Sequence, residues 1–436
     1  MRAKSVSLEL RFFLILVFFT FFQDFIFATI YKFNIVNATV LKLLFALRDV
    51  IVIIFGLKNL LVLLIRKKVN VTDFVAILFL VVVVISAVFG EQDLFNKLLS
   101  SRVYIIPILL YFWGRNVKVN NENLKFIRHV LLLLTFFIVL SSLIERFLLP
   151  VDFWVYINLA NFNSEVKGLT NLYSINELVG NFYTGNIRRA IGFAGDPLLL
   201  SYFLIPLFFF SLSNFFYNEK KKIFYLILTF GVLFVQVLTI TRAVLIAQIL
   251  SIIMFYIMYN IKLLFNKKVV TFFFLVGLGI TFFIEKIWDI IYKTVTFNDG
   301  GSALTHLISF KTGLNTFLNN PLGLGIGTAS TLVTAANGGF GSENSYFNLG
   351  IELGIIGLFI FLTFWIFTFY KIFINAKSNI SNINKKIIMI FYISILLSSL
   401  AYMITGFASP QLWTMKTVML YWFLVGICQN KLKGEI

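Results

Sequence analysis

The sequence predicts an all-α integral membrane protein of about twelve transmembrane helices. Three observations predict it. Of 436 residues, 59% are hydrophobic and only 13% are charged, where a soluble domain carries about 25% charge. Apolar runs of roughly 18 or more residues recur along the chain, each long enough to cross a bilayer. The cations gather in every second loop between those runs. The alternating, period-2 pattern of an outer-membrane barrel is absent.

The runs lie near residues 10–30, 40–65, 73–90, 100–113, 129–149, 192–216, 223–241, 243–261, 269–287, 346–370, 386–405 and 412–429. Arg66, Lys67 and Lys68 follow the second; Arg115, Lys118, Lys125 and Arg128 the fourth; Lys220, Lys221 and Lys222 the sixth. Lys262, Lys267 and Lys268 follow the eighth, Lys371, Lys377, Lys385 and Lys386 the tenth, and Lys431 and Lys433 the last. Cytoplasmic loops carry the Lys/Arg excess, so both termini are expected in the cytoplasm of a bacterial cell, with the chain in its inner membrane. Arg2, Lys4 and Arg11 precede the first run without a small-residue cleavage site, which reads as a retained span. The formal charge of +18 is distributed among these loops and not along one stripe, so nucleic acid is not expected as a partner. The single cysteine, Cys428, excludes an internal disulfide.

The whole chain, residues 1–436, reads as one polytopic domain with no internal repeat. Two outer loops are long, about 150–191 and 288–345; their Trp, Tyr, Phe and spaced glycines suggest folded caps. Cations on that side have no topological job. Arg102 opens the fourth span, Arg188 and Arg189 close the first large loop, Arg242 sits in the very short turn between spans seven and eight, and Lys311 lies in the second large loop. Arginine near an apolar core is costly unless paired or snorkelling, and its planar fork of donors suits phosphate. The other reading makes each an interfacial anchor, or a partner of Asp196, Asp152 or Glu165.

Residues 304–318 read as a helix on the membrane surface. Leu304, Leu307, Ile308, Leu314, Phe317 and Leu318 form an apolar stripe that includes Lys311, and His306, Phe310, Gly313 and Phe317 form an adjacent face. A neutral imidazole at His306 could take a proton from a hydroxyl. Asn320 and Pro321 end this helix. Gly323, Gly325 and Gly327 then allow close backbone approach, and their N–H groups could form a nest for an anion. Glu343 stands just before span ten, as a base, a sugar ligand or a helix N-terminal charge.

These residues come in a recognisable order: Gly-Ser-x-x-x-His from Gly301, Asn-Pro-Leu-Gly-x-Gly-x-Gly from Asn320, Glu343-Asn344-Ser345-Tyr346, and Glu-x-Gly-x-x-Gly from Glu352. With Arg188 to Pro197 and the Thr-Arg-Ala turn at Arg242, the order resembles the O-antigen ligase/polymerase (Wzy-type) superfamily. The resemblance implies the all-helical C-type glycosyltransferase arrangement. It implies polyprenyl-pyrophosphate-linked oligosaccharides as donor and acceptor, arginines on the pyrophosphate, and no metal or cofactor. Many members carry His-Asn where this chain has Glu343-Asn344, and many carry arginine near the position of His306. The Gly-Ser-x-x-x-His and Glu-Asn form favours a polymerase over a ligase. Catalytic roles then fall on His306 or Glu343, with Asn320, Pro321, Gly323, Gly325, Gly327, Asn344 and Tyr346 as the motif loop. The sequence leaves open whether a chain-length regulator is a partner.

A transporter or a flippase of lipid-linked oligosaccharides is the competing class. Asp24, Arg48-Asp49 and Glu145-Arg146 lie in or near early spans and fit it. Neither explains the long glycine-rich loop.

Overall fold

The computed structural model describes residues 7–117, 120–168, 180–184, 186–218, 221–259, 302–330, 342–379 and 386–430. Five helices come first: α1 Leu8–Lys32, α2 Ala38–Ile65, α3 Val71–Phe89, α4 Leu94–Arg115 and α5 Asn121–Leu148. After a cap come α6 Pro197–Tyr217, α7 Lys222–Leu238 and α8 Arg242–Tyr259. The second half holds α9 Ser302–Asn319, α10 Ser345–Asn379, α11 Lys386–Thr405 and α12 Met415–Gln429. The ninth expected span, residues 269–287, lies outside the described residues.

Among the described residues, seven helices are long and apolar enough to cross a membrane: α1, α3, α4, α5, α6, α10 and α11. Three shorter apolar helices, α7, α8 and α12, accompany them. Helix α2 is long, but Lys42, Arg48, Asp49 and Lys58 interrupt its apolar face.

Helix starts are written locally. Asn37, Asn70, Asp93, Asn120 and Asp196 each accept a hydrogen bond from the backbone N–H three residues on. Each cap satisfies a donor that the first turn would otherwise strand. These caps shift expected boundaries. Capping by Asp93 starts α4 at Leu94, so Arg102 lies two turns inside a helix and does not open it. Capping by Asp196 starts α6 at Pro197, leaving Gly192–Ala194 as a separate 3-10 turn.

Helices α6, α11 and α12 are buried almost all round and form the centre with α4. Helices α4 and α12 pack closely at Gly426, where a Cβ would collide with the Tyr111 carbonyl. Helices α2 and α3 instead present exposed Leu, Ile, Val and Phe on their outer faces, as a lipid-facing surface would.

One end of the bundle carries the basic loops, tied by Arg115 and Tyr111 to Asp73. The opposite end carries the cap. There, helical turns at Asp152–Tyr156 and Leu159–Asn161, a π turn at Phe162–Val166 and a hairpin of β1 Tyr183–Thr184 with β2 Ile187–Arg188 close over the helices. Trp154 is fully buried beneath them among Phe25, Phe153 and Phe193.

Helix α9 corrects the reading of its faces. The stripe of Leu307, Ile308 and Leu318 is exposed among the described residues. The packed side is the adjacent face: Phe310 and Phe317 meet Phe347 of α10 at 5.0 and 6.5 Å between ring centres. Gly313 leaves room for Ser342 and Phe347 to approach, so shape and not hydrophobicity chose the contact.

Candidate functional site

The hairpin separates two adjacent arginines. Arg188 turns inward: its guanidinium donates to the Leu149 and Glu145 carbonyls at 2.7 and 3.0 Å and pairs with the Glu145 carboxylate at 2.7 Å. The buried Glu145 also accepts from Trp154 Nε1 and from the N–H groups of Ile191 and Gly192. Arg188 therefore locks the cap to α5.

Arg189 points the other way. Its Nε donates to the Thr239 carbonyl at 2.8 Å, and it sits in the electrostatic field of both Asp196 and Arg242. Burial pushes its pKa down, Asp196 pulls it up, and Arg242 pushes it down again. Arg189 is thus tied to the turn that leads into Arg242. Asp196 is itself engaged as the cap of α6.

The turn carrying Arg242 is strained. Ile240 adopts a left-handed backbone with φ of 55°, a genuine outlier for a β-branched residue. Thr239 holds the turn, its hydroxyl donating to the Gln236 carbonyl and accepting from the Thr241 backbone. Arg242 opens α8 immediately after. Strain of this kind persists where surrounding structure fixes it, and it clusters at functional sites.

His306 of α9 and Glu343 meet directly, imidazole Nδ1 against carboxylate Oε2. Both remain about half exposed, at 53% and 41%. The Glu343 backbone N–H donates to Ser309 Oγ at 2.9 Å, which fixes the loop to α9. Asn344 caps α10 through Tyr346 and Phe347 N–H. Tyr346 OH donates to the Met403 carbonyl at 2.7 Å, anchoring α10 to the end of α11. Helix α8 also packs on α11, as does α10, so the helix opened by Arg242 and the helix that follows Glu343 share a neighbour.

Of the three glycines, only Gly327 turns its N–H to an acid, and that acid is the protein's own. Gly327, Ala329 and Ser330 point their N–H groups at the buried Glu352 carboxylate at 3.2, 2.8 and 2.9 Å, and Ser100 Oγ adds a fourth bond at 2.7 Å. The loop docks where α10 is broken. Gly354 has φ of 68°, which frees its neighbours to pair with the loop: Leu324 N–H donates to the Ile351 carbonyl and Ile355 N–H to the Pro321 carbonyl. Gly323 and Gly325 are likewise left-handed, and a Cβ on Gly323 would stand 2.6 Å from the Gly354 nitrogen. Asn320 caps the end of α9 by donating to the Thr316 carbonyl. The motif loop is a built scaffold beside the site. Glu352 was visible in the sequence pattern, but nothing there showed that it fills the nest.

Of the remaining expected residues, Lys311 is exposed on α9. Arg102 pairs with Asp49 at 2.9 Å, and Arg48 pairs with the same carboxylate. Gly301 lies outside the described residues.

One end of the polytopic helical bundle thus gathers arginines, a histidine–carboxylate pair and a prebuilt loop. Residues 224–362 match the family model described as O-Antigen ligase, which supports the O-antigen ligase/polymerase superfamily. That segment contains Arg242, His306, the glycine loop, Glu343 and Glu352, and stops short of Arg188 and Arg189. Ligases and polymerases of this family act on lipid-linked oligosaccharides. No curated protein matches the chain.

Proposed function

We propose that the protein polymerises polyprenyl-pyrophosphate-linked oligosaccharide repeat units into a surface polysaccharide, on the outer face of the bacterial cytoplasmic membrane with both termini inside. The observation that carries this reading is that Arg189 is hydrogen-bonded to the Thr239 carbonyl of the strained turn that leads into Arg242, which sets two arginines on one short turn. Like charges kept together are costly, and an incoming pyrophosphate relieves the repulsion.

In this reading the donor is the growing chain on its lipid pyrophosphate. A hydroxyl of a second lipid-linked repeat unit attacks the donor's anomeric carbon. The bond from that carbon to the pyrophosphate oxygen breaks, and Arg189 and Arg242 neutralise the departing charge. The hydroxyl proton passes to His306. Glu343 against Nδ1 favours the tautomer in which Nε2 carries no proton, and stabilises the imidazolium that forms. The glycine loop and cap exclude water so that transfer competes with hydrolysis.

The description of the matched family favours a second reading, a ligase that transfers a finished chain once to a different acceptor. Purified protein in liposomes, supplied with polyprenyl-pyrophosphate repeat unit, separates the two. A product ladder growing by one repeat, with release of polyprenyl pyrophosphate, is expected. Repeat unit that is never joined, or is only moved across the bilayer, overturns the polymerase reading.

A further inference from the structure

A second cationic cluster lies at the cap end, built from other parts of the chain. Asp24 of α1 accepts from Lys167 of the cap at 2.7 Å and from Lys416 of α12 at 2.9 Å. Lys416 also donates to the Ala194 carbonyl at 3.0 Å. Asp49 of α2 pairs with Arg48 and with Arg102 of α4, each at 2.9 Å. The two groups join through α1, because Arg48 donates to Gln23 beside Asp24 at 2.7 Å, and Arg48 lies close enough to Lys416 for their charges to repel.

Four cations therefore share two carboxylates, an excess of two positive charges. The two carboxylates and Lys416 are almost fully buried, and Arg48 nearly so. An excess of buried charge is expensive without a counter-ion. Gln23 Oε1 accepts from Arg48, which fixes the amide orientation and leaves its buried Nε2 with no hydrogen-bond partner among the described residues. Lys416 and Arg48 are 6% and 11% exposed, whereas Lys167 and Arg102 reach solvent at 22% and 34%.

We propose that this cluster is a second pyrophosphate site, which holds the acceptor's lipid pyrophosphate while Arg189 and Arg242 hold the donor's. The inference rests on the polymerase reading. A polymerase uses two lipid-pyrophosphate substrates. The donor breaks at its pyrophosphate, whereas the acceptor reacts at the far end of its glycan, so the two pyrophosphates need separate seats. A ligase with a different acceptor needs only one. A pyrophosphate diester brings two negative charges, which match the excess, and its oxygens accept from guanidinium forks and ammonium groups. The spacing is compatible with one reaction: the chain from Arg189 to Ala194, where Lys416 bonds, spans at most about 17 Å.

The test is the binding stoichiometry of undecaprenyl pyrophosphate to the full-length protein in phosphatidylcholine nanodiscs. Two molecules per protein are expected. Arg242→Ala should bind one, and so should Arg102→Gln and Lys167→Gln, while Arg102→Lys keeps two. A wild-type stoichiometry of one overturns the proposal. So does retention of two by both Arg102→Gln and Lys167→Gln. If phosphatidylglycerol displaces the second molecule at comparable concentration, the cluster binds bulk anionic lipid and the proposal falls. Two bound molecules without a product ladder would overturn the polymerase reading instead, so the two failures are distinct.

Discussion

At the scale of single residues, neighbours in sequence have opposite duties. Arg188 neutralises a fully buried carboxylate, and removing one partner of such a pair costs about 3–5 kcal/mol. Arg188→Ala should therefore lower the yield and thermal stability of the detergent-solubilised protein. Arg189→Ala and Arg242→Ala should leave the protein folded in the membrane and abolish polymer; normal-length polymer from Arg242→Ala would remove the phosphate role. His306→Gln should slow transfer by about 10²–10⁴-fold, the range of a lost general base. Glu343→Gln should cost less, since it alters the support of the base and not the base itself; single-turnover rates on a lipid-linked donor measure both. No signal in the sequence separated Arg188 from Arg189. The distinction comes from a two-residue hairpin that turns one guanidinium to α5 and the other to the Thr239 turn.

Among elements, the broken helix α10 and the loop that docks on it form one unit. Glu352→Leu would strand three backbone donors, each costing about 1–3 kcal/mol when buried and unsatisfied. Glu352→Gln keeps an acceptor there and should lose less; melting temperatures of the two variants order the effects. Gly354→Ala should be as damaging as Glu352→Leu, because its Cβ would lie 2.5 Å from the Leu322 carbonyl oxygen at a positive φ. Glycines at 323, 325 and 327 were legible as places of close approach, and Gly354 only as part of the motif order. What they approach was not, since a carboxylate two turns into a following helix carries no local sign of its target. The exposed stripe of α9 shows a related limit: periodicity finds an apolar face, but only the opposing surface decides which face packs.

For the whole molecule, hydropathy was an adequate guide. Eleven of the twelve expected spans fall on described helices, and seven of those helices are long and apolar enough to cross a membrane. The charge clusters were not legible, because they join distant parts of the chain: Asp24 meets Lys416, 392 positions away. Orientation is testable with the native chain as background. Cys428 is buried and is the only cysteine, so single cysteines can be added without a competing label. A membrane-impermeant thiol reagent applied to intact spheroplasts should label Tyr183→Cys and spare Lys68→Cys; the reverse pattern would invert the topology and remove an outward-facing site.

The carboxylate inside the glycine loop has a kinetic corollary. Loops that bind phosphate through their own amides usually gain order when the ligand arrives, and affinity is reduced by that ordering. Here the ordering is completed during folding, with Glu352 as a permanent internal ligand. Residues 322–330 should therefore exchange their amide hydrogens slowly in the empty enzyme and no more slowly with lipid pyrophosphate bound. The rim of the site is preorganised, and successive rounds of addition can proceed without reassembling it.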